Sequence, residues 1–308
     1  MNIITIADDL RVILRGWFNA NHILLTGPET VLIDTGHARD IAQTLHLLNE
    51  AETPAETLTR ILITHAHQDH IGGAATLCQQ SGATLLGHRW LHYAITQRRS
   101  DWLGPVWPQE APLPPIHPVH EGEDVNLGRY TFRVLHVPGH AFEMIALYEP
   151  TLRVLISADA AHDGDLGVLA PEMEGIGCVP QAVESVEKLM ALDVEVMIPG
   201  HGVPIMGRER VADSLKRTRQ RLMSFITNPE KRMRHLARRV FLYQVLLHQP
   251  VDVETLRRHS LNVRWFTAYS EQLGTTPDAF FDTLLDTLMA RGLILRRPDG
   301  LLVSPIPA

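Results

Sequence analysis

Thr64-His65-Ala66-His67-Gln68-Asp69-His70 follows the aliphatic run Ile61-Leu62-Ile63 without a break and leads into Ile71-Gly72-Gly73. The run reads as a buried strand. At a strand end the side chains of residues i and i+2 share one side, so His65 and His67 can approach one ion together. Asp69 and His70 lie past the strand, where the two glycines are expected to let the chain turn tightly into a helix. There the pair can face a second ion. Three imidazoles and a carboxylate within six residues suit a borderline metal such as zinc.

The other candidate donors also end β-like runs. His140 follows Val137-Pro138-Gly139, Asp159 follows Leu155-Ile156-Ser157-Ala158, and His201 follows Ile198-Pro199-Gly200. Residues 1–206 alternate such runs (Ile23-Leu24-Leu25, Val31-Leu32-Ile33, residues 130–137, Val154-Leu155-Ile156, Val196-Met197-Ile198) with helical stretches at residues 41–51, 74–81 and 181–192. Strands alternating with helices imply a layered α/β fold. Residues 99–123 interrupt the pattern with Trp102, Trp107 and six prolines. This long loop reads either as a lid, binding loop or oligomer contact, or as a surface excursion without a role.

The composition agrees with a folded catalyst. Of 308 residues, 45% are apolar and 20% charged, which excludes a mainly disordered chain and leaves room for two domains of about 150 residues. No run approaches the ~18 apolar residues of a membrane span. MNIITIADDLRVI, at the N-terminus, lacks the pattern of a signal peptide. Cys78 and Cys178 cannot build a disulfide framework or a four-cysteine zinc site, so a reducing, cytoplasmic setting is expected. No GxSxG occurs, which removes the serine-hydrolase elbow.

Charge divides the chain. Residues 1–206 hold 11 Lys+Arg against 25 Asp+Glu, a net −14, and residues 207–308 hold 17 against 10, a net +7. Two modules with a boundary at 206/207 are expected, and the second is free to meet an anionic partner. Beyond Arg208 the pattern is helical. Residues 233–248 carry apolar positions at helical spacing. The last helix is marked by Thr276 as cap, Pro277 in its first turn and Gly292 at its end, with Phe280, Phe281, Leu284, Leu285, Leu288 and Met289 as its buried stripe. Leu293-Ile294-Leu295 and Leu301-Leu302-Val303 read as a closing hairpin, so the tail resembles a winged-helix domain.

His65-Ala66-His67-Gln68-Asp69-His70, with His140, Asp159 and His201 following in order, resembles the metallo-β-lactamase superfamily and its HxHxDH signature. The resemblance covers residues 1–206 and includes the early Asp34 in Leu32-Ile33-Asp34-Thr35-Gly36. It implies an αββα sandwich with a two-metal site at one edge of its sheets. By that resemblance His65, His67 and His140 hold one divalent ion, Asp69, His70 and His201 hold the other, and Asp159 bridges them. Asp34 corresponds to an aspartate that orients ligands; read alone, it is equally a turn cap. The ions are expected to be zinc, with iron and manganese also suiting the donors. A bound dication lowers the pKa of water towards ~7, so a metal-bound hydroxide is the expected nucleophile, with Asp69 both ligand and proton acceptor.

The segments Thr64-His65 with Gly72-Gly73, and Pro138-Gly139-His140, are most similar to the glyoxalase-II-like branch. Ala141-Phe142-Glu143-Met144 departs from that branch, and its glutathione-contacting basic residues find no match. A small ester, thioester or lactone is the expected substrate. His162 reads either as a substrate contact or as a solvated loop histidine; His117, His120 and His136 read as non-ligands. The alternative is a nuclease-like phosphodiesterase that grips RNA or single-stranded nucleic acid through the basic tail, whose richest stretch holds Arg217, Arg219, Arg221, Arg232, Arg234, Arg238 and Arg239. Against it, Asp278, Asp282 and Asp286 give the last helix an acidic face. The plainer reading of the tail is that it covers the site rim or mediates a homodimer, its arginines paired with the acidic first module; a third reading, a binding protein with a vestigial site, is opposed by a ligand set with no position missing.

Overall fold

The computed structural model describes residues 3–96 and 112–306. Trp102, Trp107, Pro105 and Pro108 of the expected long loop lie outside the described residues.

Two sheets stack face to face. The first orders Ile3–Ala7 (β1), Leu10–Ile13 (β2), His22–Leu25 (β3), Val31–Ile33 (β4), Arg60–Ile63 (β5), Thr84–His88 (β6) and Ile116–Val119 (β7). Strands β1 to β4 pair antiparallel, and β4 to β7 pair parallel. The parallel pairs need crossovers, which Ile41–Glu50 (α1) and Ala74–Ser81, beyond the short helix Gln68–Ile71 (α2), supply; Ala74–Ser81 is α3. The second sheet orders Ile205–Met206, Val196–Pro199, Val154–Ala158, Ile145–Glu149, Tyr130–His136 and Asp124–Leu127. Strands Val154–Ala158 and Val196–Pro199 are parallel and joined through the helix Cys178–Met190.

Side-chain alternation along β5 shows how the layers close. Leu62 enters the apolar layer between the sheets with Val12, Ile23, Phe132, Val134 and Ile156. Ile61 and Ile63 face the other way, against Leu47 and Leu48 of α1 and Leu77 of α3. The outer face of the second sheet is covered by Leu189, Val211 and Leu215. The result is the expected helix–sheet–sheet–helix sandwich. With both faces covered, β5 is apolar throughout its last three positions.

Part of the expected proline-rich excursion is sheet. Residues 116–119 form β7, the strand at one end of the first sheet's order. Pro118 is tolerated because an edge strand need not donate every ladder bond. After the sandwich come the helices Arg208–Thr227, Pro229–His248, Val253–Leu261, Arg264–Gln272 and Pro277–Ala290, then a hairpin of Leu295–Arg296 with Leu302–Val303. The last helix starts as expected: Thr276 Oγ1 accepts a bond from Ala279 N at 3.3 Å, and Pro277 opens it. The helices bury Trp265, Tyr269, Phe241, Phe266 and Phe281, and Phe18 and Ala170 of the sandwich join the same apolar cluster. Helix Pro229–His248 therefore lies over two sandwich loops that border the site. Among the described residues no helix is long and apolar enough to cross a membrane.

Candidate metal centre

The donors gather where strands end. β5 delivers His65 and His67, Val154–Ala158 delivers Asp159, Val196–Pro199 delivers His201, and the turn after Tyr130–His136 delivers His140. His67 is the N-cap of α2, so Asp69 and His70 fall on that helix's single turn. The glycines behind the motif act differently from the expectation. Gly72 has φ −56° and Gly73 φ −83°, values any residue adopts. What they provide is closeness. A Cβ on Gly72 would lie 2.3 Å from Ala38 N, and one on Gly73 2.7 Å from Thr35 O. Small residues let the motif pack onto the turn carrying Asp34.

Distances sort the seven donors into two sets. His65 Nε2 lies 3.0 Å from His67 Nδ1, which lies 2.7 Å from His140 Nε2. Asp69 Oδ2 lies 3.2 Å from His201 Nε2 and 3.9 Å from His70 Nε2. Asp159 stands between. Its Oδ2 is 3.4 Å from His140 Nε2, while its Oδ1 is 3.5 Å from His70 Nε2 and 3.7 Å from His201 Nε2. Donors about 2.1 Å from one ion at tetrahedral angles sit roughly 3.4 Å apart, so these spacings bracket what a divalent ion requires. His65, His67 and His140 could hold one ion, and Asp69, His70 and His201 another. His70 Nε2 supplies an independent sign of fit: it is buried, has no hydrogen-bond partner, and is aimed at two carboxylates. A buried ring nitrogen without a partner is costly, and a cation at that point would satisfy it.

The electrostatics run the same way. Burial opposes charge on His70, but Asp34, Asp159 and Asp69 outweigh it and hold the imidazole's pKa well above its usual value. Burial also opposes charge on Asp69, yet His70 and the His201 hydrogen bond keep its carboxyl well below the usual range. His65 goes the other way: burial, then His70, His67 and His140, push it well down, so it remains a neutral imidazole. The centre is an acidic pocket that attracts positive charge, with neutral ring nitrogens along one wall.

A shell of fixed polar groups aims the donors. Asp34 accepts Thr64 N at 2.9 Å and Thr64 Oγ1 at 2.8 Å, and its Oδ2 meets His70 Nδ1 at 2.8 Å. It holds φ 57° to do so, a conformation most side chains avoid but Asp tolerates. Asp34 thus ties His70 to the Thr64 backbone and side chain. The Nδ1 of His140 meets Val168 O at 2.7 Å. Gly167 and Gly200 give the donors room: a Cβ on Gly167 would lie 2.5 Å from the His140 ring, and one on Gly200 2.2 Å from Asp159 Oδ1.

The structure adds residues that sequence reading did not place. Glu143 is buried and its Oε1 accepts Ala66 N at 2.8 Å, fixing the turn between His65 and His67. The signal was the departure of residues 141–144 from the branch pattern. Asn21 N donates to Gly200 O at 2.7 Å and its side chain to Gly202 O at 2.7 Å, holding the His201 turn. Residues 16–21 gave no motif that could have shown this. His162 is buried rather than solvated, with Nε2 3.2 Å from Asp159 Oδ1. It lines a cleft of about 350 Å³ beside His201. His136 stacks on His88 at 4.6 Å, apart from the donors. Cys78 and Cys178 are buried, and burial pushes the Cys178 thiol up to about 12.

Residues 15–201, more than half of the chain, match the Metallo-beta-lactamase superfamily, and the chain belongs to that superfamily. Among curated relatives it is 29% identical over 171 residues to the hydroxyacylglutathione hydrolase of Marinomonas sp. (strain MWYL1), covering 55% of this chain and 57% of that one. It is 29% identical over 206 residues to the human acyl-coenzyme A thioesterase MBLAC2, covering 59% and 72%. It is 27% identical to the linear primary-alkylsulfatase of Pseudomonas sp. (strain ATCC 19151), covering 64% and 44%. The chain spans about half the length of several curated relatives it matches. The metallo-beta-lactamase family protein TTHA1429 from Thermus thermophilus shares the fold, with TM-score 0.54 and 22% identity over 92% of this chain and 93% of that one.

Proposed function

We propose that this protein is a two-metal hydrolase of a small ester or thioester. One observation carries the reading: Asp159 turns its two oxygens to two separate donor sets, His140 on one side and His70 with His201 on the other. In this proposal His65, His67 and His140 would hold one divalent ion and Asp69, His70 and His201 the second, with Asp159 able to offer an oxygen to each set. Such ions, when bound, acidify water and share the charge that develops on the scissile group. The chain's own residues do the rest. Asp69 Oδ2 is engaged by His201 Nε2 at 3.2 Å, while Oδ1 has no other partner among the described residues. That oxygen can take the proton released when water attacks. Asp34 and Glu143 hold the donor loop still, so little reorganisation accompanies the step. The names of the relatives support ester-type substrates, one of them a thioester.

The nucleic-acid reading loses its main support, which was free positive charge. Arg217 pairs with Asp163 at 2.5 Å, Arg219 with Glu187 at 2.6 Å, Arg221 with Asp165 at 3.5 Å, Arg232 with Glu172 at 3.8 Å, and Arg239 with Asp165. These carboxylates all belong to residues 1–206. In the last helix Asp278 and Asp282 hold Arg257. We therefore favour residues 207–308 as a unit that braces the site rim.

The test is metal analysis of the purified chain, then a panel of esters, thioesters, lactones, β-lactams and phosphodiesters. Two bound ions and turnover of an ester or thioester are expected, with zinc, iron and manganese compared by reconstitution. Asp69→Ala should lose turnover while keeping its circular dichroism spectrum. Full turnover by Asp69→Ala, or a chain that takes up no metal, would overturn the proposal.

A further inference from the structure

The cleft beside His201 is lined by His162, Trp17, Val203, Ile306 and Arg239. Arg239 comes from the helix Pro229–His248, outside the sandwich. Its guanidinium is clamped. Nε donates to His235 Nε2 at 3.0 Å and Nη2 donates to Asp165. The remaining nitrogen, Nη1, has no partner among the described residues and is not buried, and Arg239 lines the cleft. Trp17 flanks the group, its ring centroid 5.8 Å from the guanidinium carbon. The two carboxylates on the same wall are already engaged, Asp163 by Arg217 and Asp165 by Arg239 and Arg221. A cation fixed by two contacts, with a donor to spare, in a cleft that sets Trp17, Val203 and Ile306 beside His162 and His201, is a preorganised anion receptor.

We infer that Arg239 is a specificity-determining residue and that the substrate carries an anionic group. This rests on the ester or thioester reading and narrows it. The substrate class is an acyl compound with a carboxylate a few bonds from its scissile carbonyl. The carboxylate sits at Arg239 Nη1, the intervening chain lies over Trp17, Val203 and Ile306, and the reacting carbonyl points to the His201 side. Because only one nitrogen is free, recognition is by its two N–H groups and not by the two-nitrogen fork.

The experiment compares mono-4-nitrophenyl succinate with 4-nitrophenyl butyrate on the full chain, as wild type, Arg239→Gln and Arg239→Lys. The ratio of the two kcat/KM values is read, so any loss common to both esters cancels. A bond to a charged group predicts a wild-type preference for the succinate ester that falls roughly tenfold to hundredfold in Arg239→Gln and less in Arg239→Lys. A ratio unchanged by either substitution refutes the assignment. Calorimetric binding of N-methylsuccinamic acid against N-methylbutyramide, neither readily hydrolysed, needs no turnover. An acid preference in wild type that Arg239→Gln abolishes supports the receptor even if neither ester is cleaved, in which case only the hydrolase reading fails. Equal binding of acid and neutral amide by wild type sinks the receptor, whatever esters are turned over.

Discussion

Gly200→Ala separates the fold from the metal centre with one methyl group. The added Cβ would stand 2.2 Å from Asp159 Oδ1, whereas ordinary contact begins near 3.4 Å. Gly200 cannot retreat, because its N donates to Ala158 O at 2.8 Å and its O accepts Asn21 N at 2.7 Å. The Asp159 carboxylate must therefore withdraw by about 1.2 Å, the difference between those two distances. Metal–ligand distances tolerate only about 0.2 Å. Relief costs the metal-free fold about 1–3 kcal/mol, since the Cβ would also press His70 Cε1 at 3.1 Å and the Ala158 backbone carbon at 3.2 Å. It is expensive for a bridge between two ions. Metal affinity should drop at least tenfold to hundredfold, the range seen when a ligand's supports are disturbed. The assay is equilibrium dialysis with elemental analysis, paired with thermal melting of the metal-free protein. Two tightly held ions in Gly200→Ala, at wild-type affinity, would refute the placement of Asp159. So would collapse of the metal-free fold. Gly274→Ala, where a Cβ meets nothing within 4 Å but φ is +69°, is the control: it should cost stability and leave metal affinity alone.

Three further outcomes are expected. Asp34→Asn keeps the size and tolerates φ 57°, but it loses the carboxylate facing His70; metal affinity measured against a competing chelator should fall about tenfold to hundredfold. Stripping the ions should lower the melting temperature by several degrees, since ligand at a hundred times its Kd stabilises by about 2.7 kcal/mol; an unchanged melting curve after verified removal argues against the donor sets. Asp165 is held well below the usual carboxylate range: burial raises it, but His235, Arg239 and Arg221 outweigh that. Its pKa is depressed by folding, so its contribution is fully present above the unfolded value near 3.9 and disappears as pH falls further. Asp165→Asn should therefore cost about 1–2 kcal/mol at pH 7 in urea unfolding, allowing for partial exposure, and the gap to wild type should narrow only below about pH 4.

The motif, the order of its distant donors and the layered architecture were all legible in the chain before folding. His65, His67, Asp69 and His70 are local in the chain, so strand periodicity alone brings them to one place. β5 was legible because both its faces are covered and it is apolar without interruption. β1, β2, β6 and Ile145–Glu149 were not read, and β7 lay hidden among prolines; of these only β1 and β7 end a sheet, where pairing is set more by the neighbour than by composition. Which donors could share an ion was implied by the resemblance alone, and only packing puts distances to it: Asp159 is one aspartate among many until two parallel strands place it between His140 and His201. The same holds for Glu143, Asn21 and Arg239. Each acts across a loop or from another helix, and no spacing in the chain records a contact made only when distant backbones close on one another. Charge followed that rule too. The tail's arginines were visible as a surplus, but only folding shows that Arg208, Arg217, Arg219, Arg221, Arg232 and Arg239 face carboxylates of the sandwich, and so how much of that surplus is open to a partner.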